Sequence, residues 1–173
     1  MDTLTIEGRA RLFGDDINTD YIISSRRKRD SLDPHVLRQY LFESIDPQFA
    51  ASVEPGDILV AGENFGCGSA MEVAATVVIG ADIKAVLAKS FSRTYYRNAI
   101  NNGLLPVICD TSGIAEGDRL VVTLGDAFSV RNETSGVGLT AEALSPVVRT
   151  IVMAGGLVPC FQNHGGFPDL PST

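Results

Sequence analysis

Residues 62–72, GENFGCGSAME, combine types and spacing that suggest chemistry more directly than any other stretch of this chain. Gly66 and Gly68 let the backbone turn sharply and approach a ligand closely. Ser69 follows them, and Glu72 stands three residues on, ahead of the apolar run at 73–79. Two chemistries fit that spacing. In the first, S-x-x-E is a capping box, with the Ser69 hydroxyl accepting from the Glu72 amide while Glu72 reaches back. In the second, the amides at the helix start form an anion site, and Ser69 is a base whose alkoxide those amides and the positive helix end stabilise. A phosphate loop is excluded: the Lys after the second glycine of G-x-x-x-x-G-K is missing, and G-x-G-x-x-G does not fit.

Other reactive types are scattered. Asp20 lies in an N-T-D segment and reads either as a turn aspartate or as an active-site acid. Arg26, Arg27, Lys28 and Arg29 form a basic run that reads as a solvated loop or as a grip on an anion. Arg93 and Arg97, four apart, share one helix face. His35 and His164 have no partners at metal spacing and read as structural or surface residues. Cys67, Cys109 and Cys160 are odd in number and far apart, which supports neither a disulfide framework nor a zinc site. Cys67 reads as packing near a ligand rather than as a nucleophile, since no His is placed to activate it. The common iron–sulfur clusters want four thiolates, so a cluster would have to come from another chain.

Extended and helical runs alternate along the 173 residues. Residues 57–61, 83–88, 104–109 and 119–124 read as strands, the first after Pro55–Gly56 and the last after Gly117–Asp118. Asp33–Pro34 and Asp46–Pro47 are helix starts with proline at the first helical position. Residues 90–101 predict a helix stopped at Asn102–Gly103, and 146–154 one stopped at Gly155–Gly156. Alternation of this kind predicts an α/β domain with strands at least partly parallel. One domain is expected over 1–162, with a Gly- and Pro-rich tail, 163–173, loose or paired with a partner.

The chain is 45% hydrophobic with a mean hydropathy of +0.14, enough for a proper core. A net charge of −7 argues against nucleic acid and anionic membrane as partners. No apolar run approaches the roughly 20 residues of a membrane span. The first six residues carry neither a basic leader nor an apolar core, so no secretory signal is expected, and the cytoplasm is the expected compartment.

The loop G-x-N-F-G-C-G-S resembles the active-site loop of the small subunits of isopropylmalate isomerase and homoaconitase, in the aconitase superfamily. Residues 13–23, FGDDINTDYII, resemble that family's F-G-D-N-[IV]-x-T-D-x-I-I segment. Residues 83–106, IKAVLAKSFSRTYYRNAINNGLLP, are similar to its A-K-S-F-x-R-I-[FY]-x-R-N-x-I-N-x-G stretch, and 46–62, DPQFAASVEPGDILVAG, also match in residues and spacing. The resemblance covers roughly residues 5–155, with the motifs in order and at the family's spacing.

It implies an aconitase-type swivelling β/β/α domain that closes over a [4Fe–4S] cluster held by a separate large subunit. No cofactor is then expected on this chain. The implied activity is a hydro-lyase that isomerises a hydroxy-dicarboxylate by dehydration and rehydration, most nearly 3-isopropylmalate dehydratase. The alternatives are the same chemistry on homoaconitate, dimethylmalate or citramalate types, or a non-catalytic regulatory paralogue. By motif position Ser69 and Asp20 are the catalytic residues, and Thr19, Gly68, Ala70, Arg26 and Arg29 join Met71 in contacting substrate. The chain departs from the family where it reads G-S-A-M-E-V for the usual G-S-S-R-E-H. A thioether cannot imitate a bidentate guanidinium on a carboxylate. Arg26 takes the place of the arginine of Pro-Ala-Arg, and Arg29 a position that is arginine in some homoaconitase-like members. The basic run therefore points to a more anionic substrate, or to a carboxylate grip moved from position 71 to this loop.

Overall fold

The computed structural model describes residues 2–166, in this order along the chain. Strand β1 (Leu4–Leu12) leads through a long loop to helix α1 (Thr19–Ile22) and a 3-10 turn, Ser25–Arg29. Helix α2 (Pro34–Leu37) runs on as a 3-10 turn over Arg38–Tyr40, followed by α3 (Phe49–Ser52). Then come β2 (Ile58–Val60), α4 (Val73–Gly80), β3 (Ala85–Ala88), α5 (Arg93–Asn102) and β4 (Leu105–Ile108). Strands β5 (Arg119–Leu124), β6 (Phe128–Asn132) and β7 (Val137–Thr140) precede α6 (Pro146–Met153) and α7 (Leu157–His164).

All seven strands form one sheet in the order β4-β3-β2-β1-β5-β6-β7. β1 is its seam. Residues Leu4 to Arg9 pair antiparallel with β5, while Ala10 to Leu12 pair parallel with β2. The β2–β3 and β3–β4 ladders are parallel, and β5–β6 and β6–β7 are antiparallel. The parallel half is buried on both faces, so its strands read as unbroken apolar runs. Leu59, Val86 and Ala88 face one core, with Phe42, Phe65, Tyr95 and α4. Ile58, Val60, Ala85 and Leu87 face the other, with Ile100, Ile151 and Cys160.

The expected α/β class holds, with shifts at the edges. Asp57 is not the first residue of β2 but a buried carboxylate before it, bonded by Arg9 and Arg11. Asp33 caps α2 through the His35 amide with Pro34 at the first position, as the sequence predicts. Asp46 instead closes a local turn onto the Gln48 amide, and α3 starts only at Phe49. β1, β6, β7, α1 and α7 were not legible. Helix α7 runs to His164, two residues past the expected boundary, and stops where Gly165 adopts a left-handed conformation (φ +68°). The remainder of the expected tail, 167–173, lies outside the described residues. No helix among the described residues is long and apolar enough to cross a membrane.

Candidate active site

Three segments far apart in sequence are laced together around the glycine loop. On one side the loop meets the N-T-D segment. The Gly66 amide donates to the Ile17 carbonyl at 2.8 Å, and the Thr19 amide to the Cys67 carbonyl at 2.8 Å. On the other side it meets the segment between β3 and α5. The Phe65 amide donates to the Ser90 carbonyl and the Ser92 amide to the Phe65 carbonyl, both at 3.0 Å. The Ser92 hydroxyl donates to the Gly66 carbonyl at 2.7 Å while capping α5 at Tyr95. Beneath the loop, Phe65 meets Phe91 and Tyr95 edge-on, with centroids 5.9 and 5.1 Å apart.

Glycine is required where these segments cross. At Gly66 (φ +81°) a Cβ would run into the Tyr95 ring. At Gly68 (φ +94°) it would meet the Asn18 side chain. Tyr95 is buried and donates its hydroxyl to the Ala74 carbonyl at 3.0 Å, and burial raises its pKa. It is a pillar under the loop, not an acid.

Ser69 stands exposed at the tip. The capping box does not form. Helix α4 begins at Val73, Glu72 sits at its cap position in helical conformation, and no side chain caps it. The Glu72 carboxylate accepts instead from Asn102 Nδ2 at 3.2 Å. What holds Ser69 is its own carbonyl, which accepts a 2.8 Å hydrogen bond from the Thr19 hydroxyl. The Ser69 hydroxyl has no hydrogen-bond partner among the described residues.

Asp20 follows Thr19 directly. Asn18 caps α1 by accepting from the Asp20 amide, and the Asp20 carboxylate accepts from the Ser25 amide at 2.8 Å. That bond starts the 3-10 turn carrying Arg26 to Arg29. Asp20, Tyr21, Ser24, Arg26, Gln39 and Glu43 border a cleft of about 370 Å³. Arg26 is exposed, its guanidinium 4.0 Å from Glu43. Lys28 and Arg29 are exposed and make no ion pair among the described residues.

Ser69, Gly68 and Ala70 share the exposed tip, Thr19 is bonded to it, and Asp20 is the next residue along the chain. Thr19 is buried and acts on the loop, so it positions Ser69 rather than offering its hydroxyl to a ligand. Met71 needs correction. Its side chain is 4% exposed and belongs to the core around Phe65 and Ala74. Hydrophobic burial draws the thioether inward, and position 71 drops out of the substrate-contacting set.

Arg93 and Arg97 border a different cleft with Tyr96 and Glu142. His35 is exposed on α2, and His164 Nδ1 lies 2.9 Å from the Cys160 carbonyl. Neither histidine hydrogen-bonds to the glycine loop among the described residues. Asn18 and Ser92 escaped the sequence reading, though each is an Asn or Ser directly before a short helix, the usual capping signal. Glu43 carried no signal at all. Among the described residues no group of three or more His, Cys, Asp or Glu side chains could hold a metal ion. Cys109 and Cys160 are buried in the second core, while Cys67 sits half-buried in the loop, so the three thiols do not suit one cluster.

Residues 24–112 match the family model described as the aconitase C-terminal domain. The chain is 43% identical over 158 residues to 3-isopropylmalate dehydratase small subunit 2 of Archaeoglobus fulgidus, spanning 91% of this chain and 95% of that one. It is 44% identical over 158 residues to the methanogen homoaconitase small subunit of Methanocaldococcus jannaschii, spanning 90% of each. The crystal structure of a 3-isopropylmalate dehydratase from the latter organism superposes with a TM-score of 0.88 at 41% identity, covering 94% of this chain and 96% of that one.

Proposed function

The chain belongs to the aconitase C-terminal domain family, and from that premise we propose that it is the small subunit of a two-subunit hydro-lyase of the 3-isopropylmalate dehydratase type. Its partner is a large subunit, its substrate a hydroxy-dicarboxylate, and its compartment the cytoplasm. The observation that carries the reading is the fastening of the N-T-D segment to the glycine loop, through Ile17 and Thr19, around an exposed Ser69 whose hydroxyl has no partner among the described residues.

In this reading Ser69, as alkoxide, takes the proton next to a substrate carboxylate. The C–H electron pair becomes the alkene as the neighbouring C–O bond breaks and hydroxide leaves. Water then adds back the other way round, its hydroxyl to the carbon that lost the proton and its proton to the carbon that lost the hydroxyl. Gly68 and Ala70, which place no bulk at the tip, let substrate approach the backbone. Asp20 holds the turn that presents Arg26 and Arg29 to substrate carboxylates. The thiols of this chain do not suit a cluster; in this reading a [4Fe–4S] group would be held by the large subunit and would supply Lewis-acid assistance to the leaving hydroxyl.

One observation favours a more anionic substrate than isopropylmalate. Lys28 and Arg29 stand exposed without an ion pair among the described residues, and burying an apolar tail against unpaired cations is costly. The test is an anaerobic assay of this chain with its reconstituted large subunit. Isopropylmalate, citramalate, dimethylmalate, homocitrate and citrate are offered in parallel, with Ser69→Ala as control. Turnover of one substrate, lost in the control, is expected. A stable complex silent on all five substrates would replace the enzyme reading with a regulatory one.

A further inference from the structure

We infer that Glu43 is a positioning residue for substrate binding: it fixes the cationic turn so that Arg26 is presented at the mouth of the Asp20 cleft. The inference rests on the hydro-lyase reading and deepens it.

The turn Ser25–Arg29 packs four cations into one short stretch of 3-10 backbone, and none of its residues is buried. Four like charges on so short a turn repel one another, and no apolar side chain of its own anchors it. Two fastenings hold it instead. At its start the Ser25 amide donates to the Asp20 carboxylate at 2.8 Å. At its middle Arg27 donates from Nε and Nη2 to the two oxygens of Glu43, both at 2.9 Å. The same guanidinium lies 3.9 Å over the Tyr40 ring and 3.4 Å from Asp30. A planar, two-bond pair stacked on an aromatic face is a rigid joint, unlike an ordinary surface ion pair. It also raises the Arg27 pKa, chiefly through the Glu43 hydrogen bonds, so Arg27 is spoken for.

Arg26 is the residue between the two fastenings. It borders the cleft with Asp20 and reaches Glu43 only at 4.0 Å. An arriving carboxylate offers it a closer partner than Glu43 does. Glu43 thus cancels one cation, holds the turn and leaves the neighbouring cation available. The sequence separates Glu43 from Arg27 by sixteen positions, which is why the basic run alone reads as a solvated loop.

The test compares Glu43→Gln, Arg27→Gln, the double variant and the charge swap Arg27→Glu with Glu43→Arg, each assembled with the large subunit. Amide exchange at residues 25–29 of each chain is followed alongside. Each single variant is expected to raise KM roughly ten-fold, well inside the hundred-fold that misplacement can cost, with kcat little changed. Exchange in the turn rises, the double variant adds nothing, and the swap recovers part of the loss. An unchanged KM, or one lowered because a repelling carboxylate has gone, overturns the inference. So does a KM rise that merely follows a fall in melting temperature. A wild-type complex with no turnover would count against the hydro-lyase reading alone, because the exchange measurement still reports on the joint.

Discussion

The Thr19 hydroxyl donates a 2.8 Å hydrogen bond to the Ser69 carbonyl, across fifty positions of sequence. Thr19 is 2% exposed while Ser69 is exposed, so the bond ties the serine's backbone at the surface to a buried anchor.

Replacing Thr19 by Val keeps the shape and removes the donor. The Thr19 amide still reaches Cys67, so the fold survives with a cost of about 1 kcal/mol. Turnover by the assembled enzyme should fall roughly ten-fold or more, since small misplacements at a reacting centre are amplified. Steady-state kinetics and a thermal melt check this, and an unchanged kcat would free Ser69 from Thr19.

Met71→Arg introduces the guanidinium that the resemblance to the G-S-S-R-E-H pattern would place at this position. Because the side chain here lies in the core, the guanidinium would lose its hydration without a partner. A destabilisation on the order of 3 kcal/mol is expected, with no gain in substrate affinity. A variant that melts like the parent and binds substrate more tightly would mean the segment turns outward to carry the charge.

Asp57 links the seam strand to β2. Burial opposes its charge, but hydrogen bonds from Arg9, the Glu54 amide and Arg11 outweigh that and hold its carboxyl below the usual range. The unfolded group titrates near 3.9. Its stabilising contribution is therefore fully present above about pH 4 and is lost as pH falls through the lower folded value. Asp57→Asn should cost about 2 kcal/mol at neutral pH and flatten the acid limb of stability against pH. Denaturant titrations at several pH values read both effects, and an unaltered acid limb would remove Asp57 from the account.

The three free thiols should separate by reactivity. Burial, helped by Asp110, pushes the Cys109 thiol up to about 11, and Cys160 is 1% exposed. Only Cys67 is half-exposed, inside the loop. Iodoacetamide should modify Cys67 first and abolish turnover with the fold intact, with the other two reacting only on unfolding. Peptide mapping after graded exposure shows the order.

Local chemistry was legible without the fold. Asp33–Pro34 starts α2, Asn102–Gly103 ends α5, Pro146 starts α6 and Gly155 follows its end, because capping and turn preferences act within a few residues. The buried parallel strands were legible as apolar runs for the same reason. β1 was not, since Gly8, Arg9 and Arg11 interrupt its pattern; its identity comes from pairing β5 and β2 at once. β6 and β7 likewise exist by pairing, at the solvent-facing edge of the sheet.

For the site, the sequence by itself determined which residue types are available: a serine after two glycines, an aspartate after threonine, a run of four cations. Tertiary structure decided their roles. S-x-x-E before an apolar run is a capping box by local rules, yet α4 starts four residues past Ser69. The loop's backbone partners are spent on the segments beside it, Ile17 and Thr19 on one side and Ser90 and Ser92 on the other. Met71 turned from ligand contact to core because apolar surface seeks burial wherever the fold offers it. Arg27 was set apart from Arg26 by Glu43 and Tyr40, partners that only the folded chain brings near.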